Sequence, residues 1–530
     1  MRIHLTALLV LFLSPVACAP APSSGAAASP KPQMDPARLR PTTAEKFAPK
    51  SIAAYTGSHP EVYAYIEQHK DAHLEQLRRW VRQPSVSAQN VGIRQMAEMV
   101  RDDLQKLGFK EAELVPTKGH PGVWGFYDAG APKTLAVYMM YDVQPVDSAG
   151  WQVPGFDGAL VDHQFGKALM ARGAVNQKGP ERAFLNALEA IIATRGTLPV
   201  NLMIVAEGEE ELGSPHLADV VARYAERLSG AAGVIFPSTG QNPRGVTSVS
   251  LGNKGILYFE LEAVGDSSGG PIRAEIHGSY KAIVDAPALR LAQALASLTS
   301  PDGNTIVVDG YHDAIRPPSD EEWRLLNGAA DEWVANEAQE REVLGVGRWI
   351  DGLSGRDALA RLLFSTTLNI DGMWSGYTGP GTKTILPHQA TAKVDSRLVP
   401  NQHPDSALAL IRRHLDAKGF RDIVTRKLGT GYPPAQTSVT ASFVRTALGV
   451  YNKFGRPVVV SVRSAGSAPR YVFTDLGLPM IAAGVGHGSG AHAPNEYLVV
   501  QPKGDSPLAG LVGMENFYVD LLYALAESPR

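Results

Sequence analysis

Four short segments of the sequence carry closely spaced residues that could do acid–base or metal chemistry. The densest, EGEEELGS at 207–214, places Glu210 and Glu211 side by side where a strand is predicted to meet a helix. Open α/β sheets place their ligands at such junctions. An acidic run before a helix is also favoured by the helix dipole, so this segment alone leaves a purely structural interpretation open. The other segments are YDVQPV at 141–146, ARGAVNQKGP at 171–180 and GAHAPNE at 490–496.

The elements that must position these segments alternate between helix and strand. Apolar residues at helical spacing predict helices, and short apolar runs predict strands between them. The helices are predicted at 63–81, 96–107, 182–193 and from Ser214, and the strands at 134–140, 201–206 and 233–236. This order predicts an α/β fold with a mostly parallel sheet.

A second unit is predicted inside the first. Alternating strands at 252–264, 393–399 and 423–427, with helices at 286–298 and 406–415, indicate an inserted α+β domain. The chain then returns to α/β patterning, with helices at 438–451 and 508–525 and strands at 457–462 and 479–485. We therefore expect a first domain formed by 56–247 and 431–530, interrupted by an insert at 248–430.

The N-terminus resembles an export signal. Arg2 precedes an apolar run and small residues that end at Cys18, the only cysteine in 530 residues. The stretch PVAC resembles a lipoprotein box, so residues 1–18 are expected to be a signal peptide and Cys18 a lipidated residue, with plain secretion as the alternative. Residues 19–55 are expected to form a flexible tether. We expect an exported, periplasmic or outer-envelope lipoprotein of a bacterium that meets the membrane only through this anchor.

The composition excludes several classes of protein. The chain has 44% hydrophobic and 19% charged residues, as in ordinary globular proteins, and a formal net charge of −3. Without a basic excess, nucleic acid is not an expected partner. The single cysteine excludes an internal disulfide and a cysteine-based zinc site.

Taken in order, the four segments resemble those of the di-zinc aminoacylase, carnosinase and carboxypeptidase G superfamily. The stretches SGYTGPGTKTILP at 375–387 and AKVDSRLVPNQ at 392–402 are similar to its carnosinase-type branch. The resemblance implies a zinc-exopeptidase-like catalytic domain with an inserted lid and dimerisation domain, and a homodimer.

The resemblance also implies roles for individual residues. It makes Glu210 the general base and Glu211 and His492 metal ligands, and it makes Asp142 a support for the site. Three other ligand positions differ from the family's pattern. Met140 replaces a histidine, Asn176 replaces the bridging aspartate, and Ser238 replaces a later aspartate.

These replacements remove one of the two ion sites, because methionine is a poor zinc ligand and neutral oxygens supply no charge. We therefore expect at most one divalent ion, zinc or another, held by Glu211, His492 and Asn176. Without an ion, the excess negative charge of the carboxylates would be offset by a bound proton or by Lys178.

The substrate-binding positions implied by the resemblance are better preserved. Arg397 matches the arginine that holds a substrate carboxylate, for which a guanidinium is well suited. Gly466 and Ser467 match a turn that faces the same carboxylate. His277 matches a lid histidine that reaches across the dimer to stabilise the oxyanion.

Three functions remain open at this stage. The first is hydrolysis of an amide bond in a dipeptide-like or N-acyl amino acid substrate with a free carboxylate. The second is an inactive relative that binds peptide or carboxylate ligands without turnover, because the missing ligands would remove much of the usual catalysis. The third is a dimeric structural lipoprotein.

Overall fold

The computed structural model describes residues 39–529, so the predicted signal peptide and Cys18 lie outside the described residues. The helices are α1 Pro60–Arg82, α2 Ile93–Lys106, α3 Lys178–Arg195, α4 Leu217–Arg223, α5 Ala225–Leu228, α6 Gly265–Ser268, α7 Pro287–Ala296, α8 Asp320–Leu344, α9 Gly355–Phe364, α10 Pro404–Ala417, α11 Ser442–Lys453, α12 Tyr471–Thr474 and α13 Leu511–Glu527. None of these helices combines the length and the apolar character that a membrane crossing requires.

The strands form a large sheet, a lid sheet and several smaller sheets. In chain order they are β1 Glu111–Val115, β2 Gly122–Tyr127, β3 Thr134–Met140, β4 Ala159–His163, β5 Gly166–Met170, β6 Asn201–Glu207, β7 Val234–Pro237, β8 Thr247–Ser250, β9 Gly252–Asn253, β10 Gly255–Val264, β11 Ile276–His277, β12 Asn369–Ser375, β13 Ile385–Leu386, β14 Gln389–Leu398, β15 Val424–Lys427, β16 Ala435–Gln436, β17 Val458–Ser461, β18 Met480–Ala483, β19 Gly488–Ser489 and β20 Tyr497–Pro502.

The large sheet has the order β1-β2-β6-β3-β7-β18. Strands β6, β3, β7 and β18 run parallel, while β1 and β2 are antiparallel additions at one edge. The predicted α/β class is confirmed. Strands β3 and β6 stay in register as far as Met140 opposite Glu207, so the loops that follow them leave the same edge of the sheet.

The predicted insert is present as a lid domain with its own sheet, in the order β12-β14-β10-β15. All of its strand pairings are antiparallel. Its buried residues, among them Phe259 and Val394, form a core separate from that of the catalytic domain. Helices α7 and α10 cover this sheet.

Helices α8 and α9 lie within the predicted insert but pack on the catalytic domain. Trp323 and Leu326 of α8 and Phe364 of α9 belong to the main core, and the rings of Trp323 and Phe364 are 5.1 Å apart. The structure therefore differs from the prediction of a single unit at 248–430. The chain leaves the lid at about residue 320 and returns after 364, because the buried faces of these helices find their apolar partners in the larger core.

The segment before α1 also differs from expectation. Asn327 donates its side-chain amide to the carbonyls of Thr43 and Glu45, and Asn452 donates to those of Pro49 and Ile52. The predicted tether is therefore corrected for residues 43–55. This stretch is a strap that joins α8 to α11, because its backbone groups are bound by side chains from both helices.

Candidate active site

Two parallel strands bring the predicted carboxylates together. Asp142 follows β3 and the acidic segment follows β6, and the backbone N–H of Tyr141 donates to the carbonyl of Glu207 at 2.8 Å. Gly208 is required at this approach, because a Cβ there would lie 2.4 Å from the Tyr141 ring. The structure thus places Asp142 beside the backbone of Glu210 and Glu211 at the carboxyl edge of the sheet.

Asp142 organises the acidic segment through hydrogen bonds. Its fully buried carboxylate accepts from Ser87 Oγ at 2.8 Å and from the backbone N–H groups of Glu210 and Glu211 at 3.2 and 3.0 Å. Burial raises the pKa of Asp142 from 3.8 to about 7, and the nearby charge of Glu211 acts in the same direction. Asp142 therefore fixes the turn that presents Glu210 and Glu211.

Glu210 lies in a strongly acidic environment. Burial raises its pKa well above the usual value, and the carboxylates of Glu211, Asp142 and Glu207 add to that effect. Burial also raises the pKa of Glu207, to about 8, although its Oε1 accepts from Tyr138 and Ser214. Burial and the surrounding negative charges therefore favour the protonated form of both Glu207 and Glu210.

Glu211 is surrounded by neutral and imidazole groups. Its Oε1 accepts from Asn176 Nδ2 at 2.9 Å, and its Oε2 accepts from Gln144 Nε2 at 2.7 Å and lies 3.2 Å from His492 Nε2. The hydrogen bond to Glu211 raises the pKa of His492. The structure thus brings together the three residues predicted to hold an ion, Glu211, His492 and Asn176.

Two further residues, missed by the sequence analysis, complete this arrangement. Gln144 lies in the segment at 141–146, two residues after Asp142. Glu496 ends the last segment, is fully buried, and accepts from Arg172 Nη1 at 2.7 Å and from the backbone N–H groups of Val175 and Asn176. Glu496 therefore joins the last segment to the one that carries Asn176. In the sequence, this pair could have been suspected only because Glu496 and Arg172 have opposite charges and lie within two of the four segments.

The side chain of Lys178 donates its hydrogen bonds to backbone carbonyls and not to the carboxylates of the acidic segment. Its Nζ donates to the backbone carbonyls of Trp80 at 3.1 Å and Gln83 at 2.7 Å. Burial lowers its pKa to about 7. Lys178 is thus a buried structural group, and a bound proton is the other of the two predicted ways to offset the negative charge.

The predicted substrate-binding residues form one hydrogen-bonded group at the junction of the two domains. Arg397 Nη1 donates to Ser467 Oγ at 3.0 Å, and its Nε lies 3.2 Å from Asp395 Oδ1. Ser467 Oγ donates to the carbonyl of Gly255 at 3.1 Å, and the carbonyl of Gly466 accepts from the backbone N–H of Lys254. The geometry therefore joins Arg397, Gly466 and Ser467, as the sequence led us to expect.

Tyr432 has neighbours in both this group and the acidic site. The backbone of Tyr432 pairs with Ile256, which stands opposite Arg397 in the lid sheet. The carboxylates of Glu210 and Glu207 contribute to raising the pKa of Tyr432, after burial. Tyr432 thus links the strand that pairs with Arg397 to the surroundings of Glu210.

His277 stands apart from both groups. It is exposed on the short lid strand β11, where its ring contacts Ser279 and Thr384. Within residues 39–529 no hydrogen bond connects it to Glu210, Glu211 or Arg397. Its role across a dimer remains a prediction.

Comparison with known proteins identifies the family. A model described as "Peptidase family M20/M25/M40" matches residues 136–503, more than half of the chain. The chain belongs to this peptidase family. The expected resemblance is confirmed, and so is the fold of a peptidase with catalytic and lid domains.

Several members of this peptidase family are similar over most of the chain. The structure of a metallo-carboxypeptidase from Sulfolobus solfataricus is 32% identical and covers 86% of this chain and 98% of its own, with a TM-score of 0.74. The Beta-Ala-His dipeptidase of Homo sapiens is 28% identical over 67% of this chain and 71% of its own length. The Cys-Gly metallodipeptidase of Schizosaccharomyces pombe is 28% identical over 67% of this chain and 75% of its own length.

The residues of this chain do not fit the two-metal centre that the family implies. In the part of the chain that the structure describes, no three His, Cys, Asp or Glu side chains are grouped so that they could hold a metal ion. Met140 and Asn176 supply no charge, and the Asn176 amide donates to Glu211 where a cation would bind. A thioether and an amide are poor substitutes for imidazole and carboxylate ligands of zinc.

Proposed function

We propose that this protein hydrolyses an amide bond in a dipeptide-like or N-acyl amino acid substrate that has a free carboxylate. The observation that carries the proposal is the convergence of Asp142, Glu210 and Glu211 at the carboxyl edge of the parallel sheet. The dipeptidases among the relatives support the substrate class.

In this proposal Glu210 accepts a proton from the attacking water and passes it to the leaving amine. Only the ionised form of Glu210 can take this proton; burial and the neighbouring carboxylates raise its pKa and so make that form a stronger base. Asp142 orients Glu210 through the backbone. Arg397, supported by Ser467, holds the substrate carboxylate and so fixes the position of the scissile bond.

The cofactor is proposed to be at most one divalent ion, with Glu211, His492 and Asn176 as its residues. Binding one ion would require the Asn176 amide to turn, so that its carbonyl oxygen faces Glu211 and His492. No step of the proposed mechanism depends on a second ion.

A screen of dipeptides and N-acyl amino acids, with and without added zinc, tests this proposal. Turnover by the wild type and its loss in Glu210→Gln are the expected results, with the exposed Glu226→Gln as the matched control. A purified protein that binds these compounds and hydrolyses none would overturn the proposal. That outcome would establish the second candidate function, an inactive binding relative, which the replacements at Met140, Asn176 and Ser238 favour.

We further propose that the protein is exported and anchored by lipid at Cys18, and that it dimerises through the lid. Apolar side chains exposed on the lid support dimerisation, among them Ile283 at 82%, Met373 at 56% and Trp374 at 45% exposure. Mass spectrometry of the mature protein tests the anchor, since an unmodified N-terminus would contradict it.

A further inference from the structure

The loop between β1 and β2 reaches the acidic site. Strand β2 runs antiparallel to β6, with Val123 opposite Ala206 near the carboxyl end of β6. The loop that precedes β2 therefore comes to the same edge of the sheet as the acidic segment. We call four residues of this loop the clasp: Thr117, Gly119, His120 and Pro121.

His120 of the clasp is linked to Asp142 through one residue. Its Nε2 donates to the backbone carbonyl of Ser87 at 3.1 Å, and Ser87 Oγ donates to Asp142 Oδ2 at 2.8 Å. The carboxylate of Asp142 also accepts from the backbone N–H groups of Glu210 and Glu211 at 3.2 and 3.0 Å. His120 therefore supports the carboxylate that fixes the backbone of the acidic segment.

Gly119 of the clasp packs on the residue before Glu210. A Cβ at Gly119 would lie 2.0 Å from Glu209 Oε1 and 2.8 Å from His216 Nδ1, so glycine is needed for this close approach. Glu209 is 5% exposed, and its Oε2 lies 2.6 Å from His216 Nδ1, which limits its freedom to turn away. Gly119 therefore keeps the clasp in contact with the start of the acidic segment.

Three hydrogen bonds fix the conformation of the clasp. Thr117 Oγ1 donates to the carbonyl of His120 at 2.6 Å and accepts from the backbone N–H of Gly119 at 3.1 Å. The hydroxyl of Tyr141 donates to the carbonyl of Pro121. The clasp is therefore an ordered turn, which is what the support of a catalytic group requires.

We propose that the clasp holds the acidic segment in its catalytic arrangement and that His120 is a positioning residue for Glu210. The inference rests on the proposed function and deepens it, because Glu210 is the base of that reaction. His120 acts through Ser87 and Asp142 and not by contact with the reacting atoms. A displacement of about 1 Å in an active site can lower the rate about a hundredfold. His120 should therefore affect kcat and leave KM nearly unchanged.

Hydrogen exchange in the full-length protein, measured by mass spectrometry, tests the clasp without requiring turnover. His120→Ala should speed the exchange of residues 208–213 at least tenfold while the exchange of α13 stays unchanged, because only the acidic segment is released. His120→Gln keeps an N–H donor at the end of the side chain and should restore slow exchange. The exposed Lys118→Ala in the same loop is the matched control.

A second variant tests the clasp independently of His120. Thr117→Val keeps the volume of the side chain but removes both hydrogen bonds of Thr117 Oγ1, so the exchange of residues 208–213 should also become faster. His120→Ala is expected to fold, because the Ser87 carbonyl keeps its hydrogen bond from the backbone N–H of Asn90 at 3.1 Å.

Activity provides the second readout. With a substrate found in the dipeptide screen, His120→Ala should lower kcat at least tenfold and leave KM within twofold, and His120→Gln should restore kcat. Unchanged exchange at 208–213, an equal increase throughout α13, or an unchanged kcat would overturn this inference.

The proposed function fails in a different way. A wild type that hydrolyses none of these compounds would refute the hydrolase. The exchange measurements would still decide whether the clasp holds the acidic segment, because they need no substrate.

Discussion

Asn176 donates its side-chain amide to Glu211 at 2.9 Å and lies 3.2 Å from His492 Nε2. In a two-metal peptidase, a carboxylate at this position would bridge the two cations. Here a neutral amide lies between a carboxylate and an imidazole instead. The amide satisfies the carboxylate without bringing a second negative charge. The acidic site is thus held together by hydrogen bonds.

Replacing this amide with a carboxylate should make folding depend on metal. Asn176→Asp removes the bond to Glu211 and places two carboxylates about 3 Å apart, so in chelator the free energy of unfolding should fall by about 2 kcal/mol. Added zinc should raise the melting temperature of the variant more than that of the wild type, because the ion binds only the folded site. Thermal unfolding with zinc and with chelator measures both effects, and the exposed Asn90→Asp is the control. An unchanged response to zinc would contradict the prediction.

A second ion should need three substitutions together. Met140→His, Asn176→Asp and Ser238→Asp each restore a different part of the missing coordination, and the bridge offsets repulsion between ions about 4 Å apart. Elemental analysis should give at most one ion per wild-type chain and two per triple variant. The double variant that keeps Asn176 should stay at one. Two tightly bound ions in the wild type would show that other residues hold them.

Glu207 should make the protein less stable as the pH rises. Its folded-state pKa is raised by burial from 4.5 to about 8, so between these values the folded protein keeps a proton that the unfolded chain has lost. Stability should therefore fall by about 1 kcal/mol per pH unit across that window, and Glu207→Gln should flatten the slope. Urea unfolding of the wild type, Glu207→Gln and the exposed control Glu67→Gln from pH 5 to 8 measures this. Parallel slopes for all three proteins would disprove the assignment.

Arg172 should be essential for stability because it compensates a buried carboxylate. Arg172→Met leaves Glu496 buried without its partner, which costs about 3–5 kcal/mol in such pairs. Glu496 also accepts from the backbone N–H of Asn176, whose side chain contacts Glu211. The variant should therefore also lose the binding of a divalent ion by Glu211 and Asn176. Urea unfolding measures the first effect, with the exposed Arg94→Met as control. A loss below about 1 kcal/mol would mean that the pair contributes little.

His277 should act on the active site of the partner subunit. His277→Ala and Glu210→Gln should each be inactive, yet an equal mixture of exchanged subunits should recover about a quarter of wild-type activity, because mixed dimers contain one intact site. Sedimentation shows whether dimers form. Full activity in a strict monomer would remove His277 from the mechanism.

Much of the secondary structure follows from local patterns in the sequence. The strand predicted at 134–140 matches β3 as observed, and the helix predicted at 406–415 lies inside α10. Periodicity of apolar residues is a local property, so it is visible without the fold. The chemistry of Asp142, Glu210, Glu211 and His492 is likewise visible in short motifs.

Other features depend on partners that are distant in sequence. Gln144 meets Glu211 across 67 positions, and Arg397 meets Ser467 across 70. The sequence likewise did not predict that α8 packs on the catalytic core or that the strap binds α8 and α11. The sequence by itself determined which elements form and which residue types are available for chemistry. Only the tertiary structure decided which of those residues meet, because burial and hydrogen bonding between distant segments exist only in the folded chain.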